Sequence, residues 1–289
     1  MKTWSQNIGN GFIDLGARTV LQLAAPDAEV VDVSGHSNRV ADRLAMNGWA
    51  DVWRSVRRRA NARNPTTNLD SPIRARMLNL ASLIDADVAV LAGCVLDDIN
   101  LRRYLPVLDE LRRRGTPLLF LGVGGSNYRA NTIEFMTGAL ERLAPAGFIT
   151  RDAVAHGHYG ALAPESHSGI DCAFFMPDGH QPPRANRPLA VLTFDASKEP
   201  EVDLEGAMPV RVTQHPFDSP FLSLPRRVID KRRFHDRRFF RKSNIFLSDS
   251  VADYLFLYAN SRVTHSDKVH ACIATLAYGN RAQFYWETP

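Results

Sequence analysis

The sequence predicts an α/β protein of two lobes with mainly parallel sheets, and three observations carry that prediction. Short runs rich in Val, Leu and Ile alternate with longer stretches of helix-spaced apolar residues, the pattern of βαβ units. A stretch at residues 177–188 (PDGHQPPRANRP), with four prolines and almost no apolar side chains, interrupts the alternation before it resumes. The chain has 289 residues, the length of about two domains. We therefore expect an N-terminal lobe over residues 1–176, a linker over 177–188 and a C-terminal lobe over 189–289.

Residues 13–24, 100–114 and 132–143 carry apolar positions at helical spacing. In the second of these, Leu101, Leu105, Leu108 and Leu111 form one stripe and Gly115 supplies the stop. Residues 29–34 (EVVDVS), 87–92 (DVAVLA), 117–123 (PLLFLGV) and 148–150 (FIT) read as strands bounded by Gly, Pro or Asp. Beyond the linker, residues 189–194 and 209–213 read as strands, and 251–259 as a helix with Ser248 or Asp249 as its cap. A short strand at 262–265, a helix at 268–278 ended by Gly279 and a final strand at 281–286 complete the pattern.

With 45% hydrophobic and 23% charged residues, the composition excludes disordered, collagenous and disulfide-scaffold classes. The longest apolar run, residues 88–96, falls far short of the ~20 residues of a membrane span. Residues 1–10 are polar and lack the apolar stretch of a signal peptide. Three cysteines lie far apart, as expected in a reduced compartment. These features predict a cytoplasmic protein. The net charge is only +4, too small to point to nucleic acid. Charge is concentrated at residues 54–63 and at 226–242, where nine Lys or Arg face Asp230 and Asp236. The second segment reads either as a solvated face or as a grip for a polyanion or the inner face of an anionic membrane.

Residues 262–279 (RVTHSDKVHACIATLAYG) hold the most chemistry. Ser266 and Asp267 are N-cap residues by type, which puts Lys268 and His270 in the first helical turn. Val269, Cys272, Ile273 and Leu276 are expected to be the buried stripe, leaving His270 in line with the small Ala274 and Ala277. A cation and an imidazole beside unpaired helix N–H groups make an anion site. The alternative is a buried histidine bonded to a backbone carbonyl, with Lys268 solvated. Gly124 and Gly125, in the GVGGS turn that closes residues 117–123, suit either a backbone approach to a phosphate or sugar or a plain strand-to-helix turn. The GxGxxG spacing of a dinucleotide site is absent. No HExxH occurs, His156 and His158 near Asp152 make a weak pair, and Asp97 with Asp98 suits a helix start. No metal is expected.

The 262–279 segment resembles the C-terminal signature of the polysaccharide pyruvyl transferase family. Asp267, Val269, His270 and Gly279 match it, and Lys268 stands where that family has arginine. Asn7-Ile8-Gly9-Asn10 resembles the family's Asn-x-Gly-Asp turn, with Asn10 in place of the aspartate. Thr150-Arg151-Asp152 and the 169–175 stretch (GIDCAFF) resemble two further motifs, so the resemblance covers most of the chain. It implies a glycosyltransferase-B-like fold of two Rossmann-like lobes. It also implies transfer of pyruvate from phosphoenolpyruvate, as a ketal, onto two hydroxyls of a sugar in a glycan or glycan precursor. Phosphoenolpyruvate would then be a co-substrate, with no cofactor, and the acceptor a carbohydrate, lipid-linked in the version that gives the basic segment a membrane to meet. His270 becomes the general acid, and Lys268 and Arg151 the anion-binding cations. Asp267, Asn7, Gly9, Asn10, Gly124 and Gly125 become substrate-binding positions. Lysine lacks the guanidinium fork, so Lys268 offers a point charge. Two alternatives remain: a metal-independent glycosyltransferase using a nucleotide sugar, and an inactive glycan-binding relative, suggested by Asn10 and Lys268.

Overall fold

A computed structural model describes residues 1, 7–34, 78, 80–195, 197–214, 239, 241–248 and 250–286. The basic 54–63 segment, and 226–242 apart from Phe239, Arg241 and Lys242, lie outside the described residues. The chain divides into two compact units: Met1–Thr3 with Val31–Asp171, and Trp4–Val30 with Cys172–Pro289. The first helix, α1 (Ile8–Ala24), therefore belongs with the C-terminal half.

The first unit is Rossmann-like. Its sheet is wholly parallel, in the order β1 (Ala89–Cys94), β2 (Leu118–Gly124), β3 (Gly147–Thr150) and β4 (Glu165–Ser168). Helices α2 (Asp98–Arg113), α3 (Ala130–Leu143) and α4 (Ala153–Tyr159) connect the strands. Asp97 caps α2 by accepting from the Asn100 amide at 2.8 Å. The helix buries Leu101, Tyr104, Leu108 and Leu111 against Phe120, Val123 and Phe148 of the sheet. Residues 29–34 do not form the expected strand: Ser34 makes one bridge, and Val31 is exposed. Beyond that bridge the segment pairs with no strand among the described residues, and an extended run without a ladder is not held as a strand. Edge strand β4 (ESHS) pairs in register with β3 although it has no apolar residue; polar edges of this kind discourage further pairing.

One buried group in this core is unpaired. The Tyr159 hydroxyl has no hydrogen-bond partner among the described residues. Burial, with Tyr128 nearby, pushes its pKa up to about 12. Tyr159→Phe is expected to stabilise the protein by about 1 kcal/mol, since it removes an unsatisfied buried hydroxyl and keeps the ring. A lower melting temperature in the variant would show that the hydroxyl is satisfied.

The second unit carries a five-stranded parallel sheet ordered β7-β6-β5-β8-β9. After a short helix α5 (Met176–Gly179) come β5 (Leu189–Thr193), β6 (Met208–Val212) and β7 (Ile245–Phe246). They are followed by α6 (Val251–Ala259), β8 (Ser261–Ser266), α7 (Val269–Ala277) and β9 (Arg281–Phe284). Every residue of central strand β5 is buried. Helix α1 buries Ile8, Phe12 and Ile13 here, with Phe12 edge-on to Tyr258 of α6 at 5.8 Å between ring centroids. Against the expected 1–176 lobe, residues 4–30 and 172–176 thus lie with the later half of the chain, because the partners of α1's apolar face are there.

The buried face of α7 differs from the expected stripe. Val269 and Leu276 are each 48% exposed, while Ala271, Cys272, Ala274 and Thr275 are buried. Small side chains let the helix lie close to the sheet, where Thr275 Oγ1 donates to Thr264 Oγ1 of β8 at 2.7 Å. The N-cap position is Lys268, not Ser266 or Asp267. Ser266 still contributes, its Oγ accepting from the Lys268 amide at 2.8 Å. No helix among the described residues is long and apolar enough to cross a membrane.

Candidate functional site

In open parallel sheets, ligands bind beyond the carboxyl ends of the strands. In the second unit the ends of the three central strands are Thr193, Val212 and Ser266. The segment after β8 runs Asp267, Lys268, Val269, His270, so His270 stands in the first turn of α7. The first turn of α1 meets it there. Asn7 caps α1, its Oδ1 accepting from the Gly9 amide at 3.0 Å, and its carbonyl accepts from the Asn10 amide at 2.9 Å. A Cβ on Gly9 would stand 2.9 Å from His270 Cβ and 3.0 Å from its Nδ1. Only glycine permits this approach. Asn7, Gly9, Asn10, Lys268 and His270, from opposite ends of the sequence, thus share one edge.

Asp267 is tied into the second unit by its carboxylate. Its Oδ1 accepts from the Asp195 amide at 3.2 Å, and its Oδ2 from the Ser197 amide at 2.7 Å and Ser197 Oγ at 3.0 Å. The carboxylate therefore clasps the loop after β5, and Lys268 Nζ lies 3.9 Å from it. The side chain of Lys268 is 21% exposed against 5% for Asp267, so the lysine is the member of the pair that can meet an anion.

The first unit has its own edge. Arg151, just after β3, donates from Nη1 to Asp171 Oδ2 at 2.8 Å. It lies flat across Gly124, where a Cβ would stand 2.4 Å from its Nε. Burial opposes the Arg151 charge, but Asp171, with Cys94 and Asp152, more than offsets it and holds the guanidinium pKa above its ordinary value. The Cys94 thiol is pushed up by burial, against the pull of Arg151. Gly125 gives its amide to the Tyr128 hydroxyl at 3.1 Å, and that hydroxyl donates to Asp152. Asp152 also caps α4 through the Ala155 amide at 2.7 Å. Of the candidate positions here, Arg151 and Gly124 are brought together, and Gly125 serves a tyrosine-held turn.

Sequence reasoning missed Tyr128, Asp195 and Gln214. Asp195 follows the end of β5, a position where strand-end logic could have found it. Gln214 is 2% exposed and carries no motif. Among the described residues no group of three or more His, Cys, Asp or Glu side chains could hold a metal ion. The second-unit edge can do two things chemically. Lys268, at the start of α7, can meet an anion, and His270 can move a proton beside it.

The sequence model of a family described as Polysaccharide pyruvyl transferase matches residues 7–280. A search of curated proteins gives no match.

Proposed function

Because the chain belongs to the polysaccharide pyruvyl transferase family, we propose that it transfers pyruvate from phosphoenolpyruvate, as a ketal, onto a sugar of a glycan or glycan precursor. The observation that supports this most is the meeting of the Asn7–Asn10 turn with Lys268 and His270 on one sheet edge. The donor carries a carboxylate and a phosphate, and Lys268 at the start of α7 offers a cation to such a group. His270 protonates the methylene carbon of the donor. The cationic carbon is attacked by one sugar hydroxyl, phosphate leaves, and a second hydroxyl closes the ketal. One proton ends on the new methyl group and one leaves with phosphate. The basic 226–242 segment suits contact with an anionic membrane at which a lipid-linked acceptor is presented.

Thermal stabilisation tests the donor directly. Phosphoenolpyruvate at ~100 times its dissociation constant is expected to add about 2.7 kcal/mol of stability, and nucleotide sugars to add none. Lys268→Ala is expected to weaken that binding by about 10- to 100-fold, the worth of a charged hydrogen bond. Stabilisation by a nucleotide sugar and not by phosphoenolpyruvate would replace this reading with glycosyl transfer.

A further inference from the structure

The carboxyl edge of the second unit is closed by a ring of hydrogen bonds that passes through a side chain without a part in the chemistry above. The Asp195 amide donates to Asp267 Oδ1 at 3.2 Å, which ties the end of β5 to the segment carrying His270. Asp195 Oδ2 accepts from the Gln214 amide at 3.0 Å, which ties it to the end of β6. The Gln214 carbonyl accepts from the Ile8 amide at 3.1 Å, at the first residue of α1. Gly9, the next residue, rests on His270. Gln214 is fixed from behind as well, its Nε2 donating to the Tyr258 hydroxyl at 3.2 Å, and that hydroxyl lies 3.3 Å from Thr193 Oγ1.

We propose that Asp195 is a positioning residue, one that holds the first turn of α1 in place against His270. A carboxylate accepting from a backbone amide is a strong, directional link, and here it ties Asp195 to Gln214 and so to the first residue of α1, while the Asp195 backbone amide holds Asp267. Its side chain acts through Gln214 and α1, and its backbone amide, which side-chain substitution leaves in place, holds Asp267. The consequence for catalysis rests on the reading of His270 as the proton donor. A displacement of about 1 Å at a reacting group costs on the order of 100-fold in rate, so loosening this ring is felt in the chemical step more than in donor binding.

The full-length chain tests this with Asp195→Ala and Asp195→Asn. Alanine removes the acceptor, whereas asparagine keeps an oxygen at the same reach. For phosphate release from phosphoenolpyruvate with acceptor, Asp195→Ala is expected to lower kcat by about 10- to 100-fold. The donor KM should be nearly unchanged, and Asp195→Asn should recover most of the rate. Without any substrate, NMR of the Gly9 amide and the His270 imidazole should show their contact weakened in Asp195→Ala and kept in Asp195→Asn. If the alanine variant does not fold, Asp195→Ser, polar but too short to reach Gln214, reads the same quantities. An intact Gly9–His270 contact in the alanine or serine variant overturns the proposal, as does an equal loss of kcat in the asparagine and alanine variants. If the parent releases no phosphate from phosphoenolpyruvate, the donor assignment fails, and the NMR contact alone decides the role of Asp195.

Discussion

His270→Ala is expected to lower turnover of phosphoenolpyruvate by ~10²–10⁴-fold, the usual worth of a positioned general acid, while the protein melts close to the parent. The two halves of that expectation have separate causes. Helix α7 is anchored by Ala271, Cys272, Ala274 and Thr275, none of which the substitution touches, so the fold survives. The imidazole stands beside Gly9 in the turn that Lys268 opens, so in the proposed mechanism its loss removes the proton source. His270→Gln sharpens the test, since glutamine keeps bulk and hydrogen bonding but cannot protonate carbon. Normal turnover by either variant ends the proposed mechanism. Unfolding of both makes His270 a packing residue.

Gly16→Ala is expected to destabilise the second unit by about 3 kcal/mol, at the upper end for overpacking. An added Cβ would stand 1.8 Å from the carbonyl oxygen of Cys172 and 2.5 Å from its carbon. Both are backbone atoms, so no rotamer change relieves the clash, and α1 must lift from the 3₁₀ turn Cys172–Phe175. Gly138 in the middle of α3 is the control. A Cβ there meets nothing within 4 Å, and Gly138→Ala is expected to stabilise by about 0.5–1 kcal/mol through helix propensity. Thermal melts of the two variants should move in opposite directions. Equal melting of Gly16→Ala and the parent would mean that α1 does not lie on the turn at this distance.

Some of this architecture was written plainly in the residues. Strand β5 (LAVLT) is apolar and fully buried, and α6 occupies residues 251–259 as its pattern predicts. Strand β4 could not be read, because ESHS offers no hydrophobic period and is held by backbone pairing alone. Helix α7 misled for the opposite reason. Val269 and Leu276 look like core by type, yet the close approach of helix to sheet selects alanine and threonine for burial. The site was legible as separate motifs: His270, Lys268, Asn7 and Gly9 could each be named. Their meeting was not legible, since it depends on α1 joining strands far along the chain. Asp267 illustrates a further limit. Its motif suggests substrate, and its carboxylate also accepts from Asp195 and Ser197, a link that no sequence pattern announces.

The membership of α1 in the second unit also bears on how the protein is born. The helix leaves the ribosome with Phe12 uncovered, and the whole of Val31–Asp171 is made before Cys172 arrives against Gly16 and Tyr258 against Phe12. At roughly 5–20 residues per second, that interval is on the order of ten seconds to a minute. During it the first unit has all its own strands and can fold, while the sticky face of α1 waits for partners not yet synthesised. Nascent chains stalled before α6 should therefore carry an exposed amphipathic helix, open to capture by chaperones. Release of the last strands from the exit tunnel is what lets the N-terminus dock and the residues around His270 come into register.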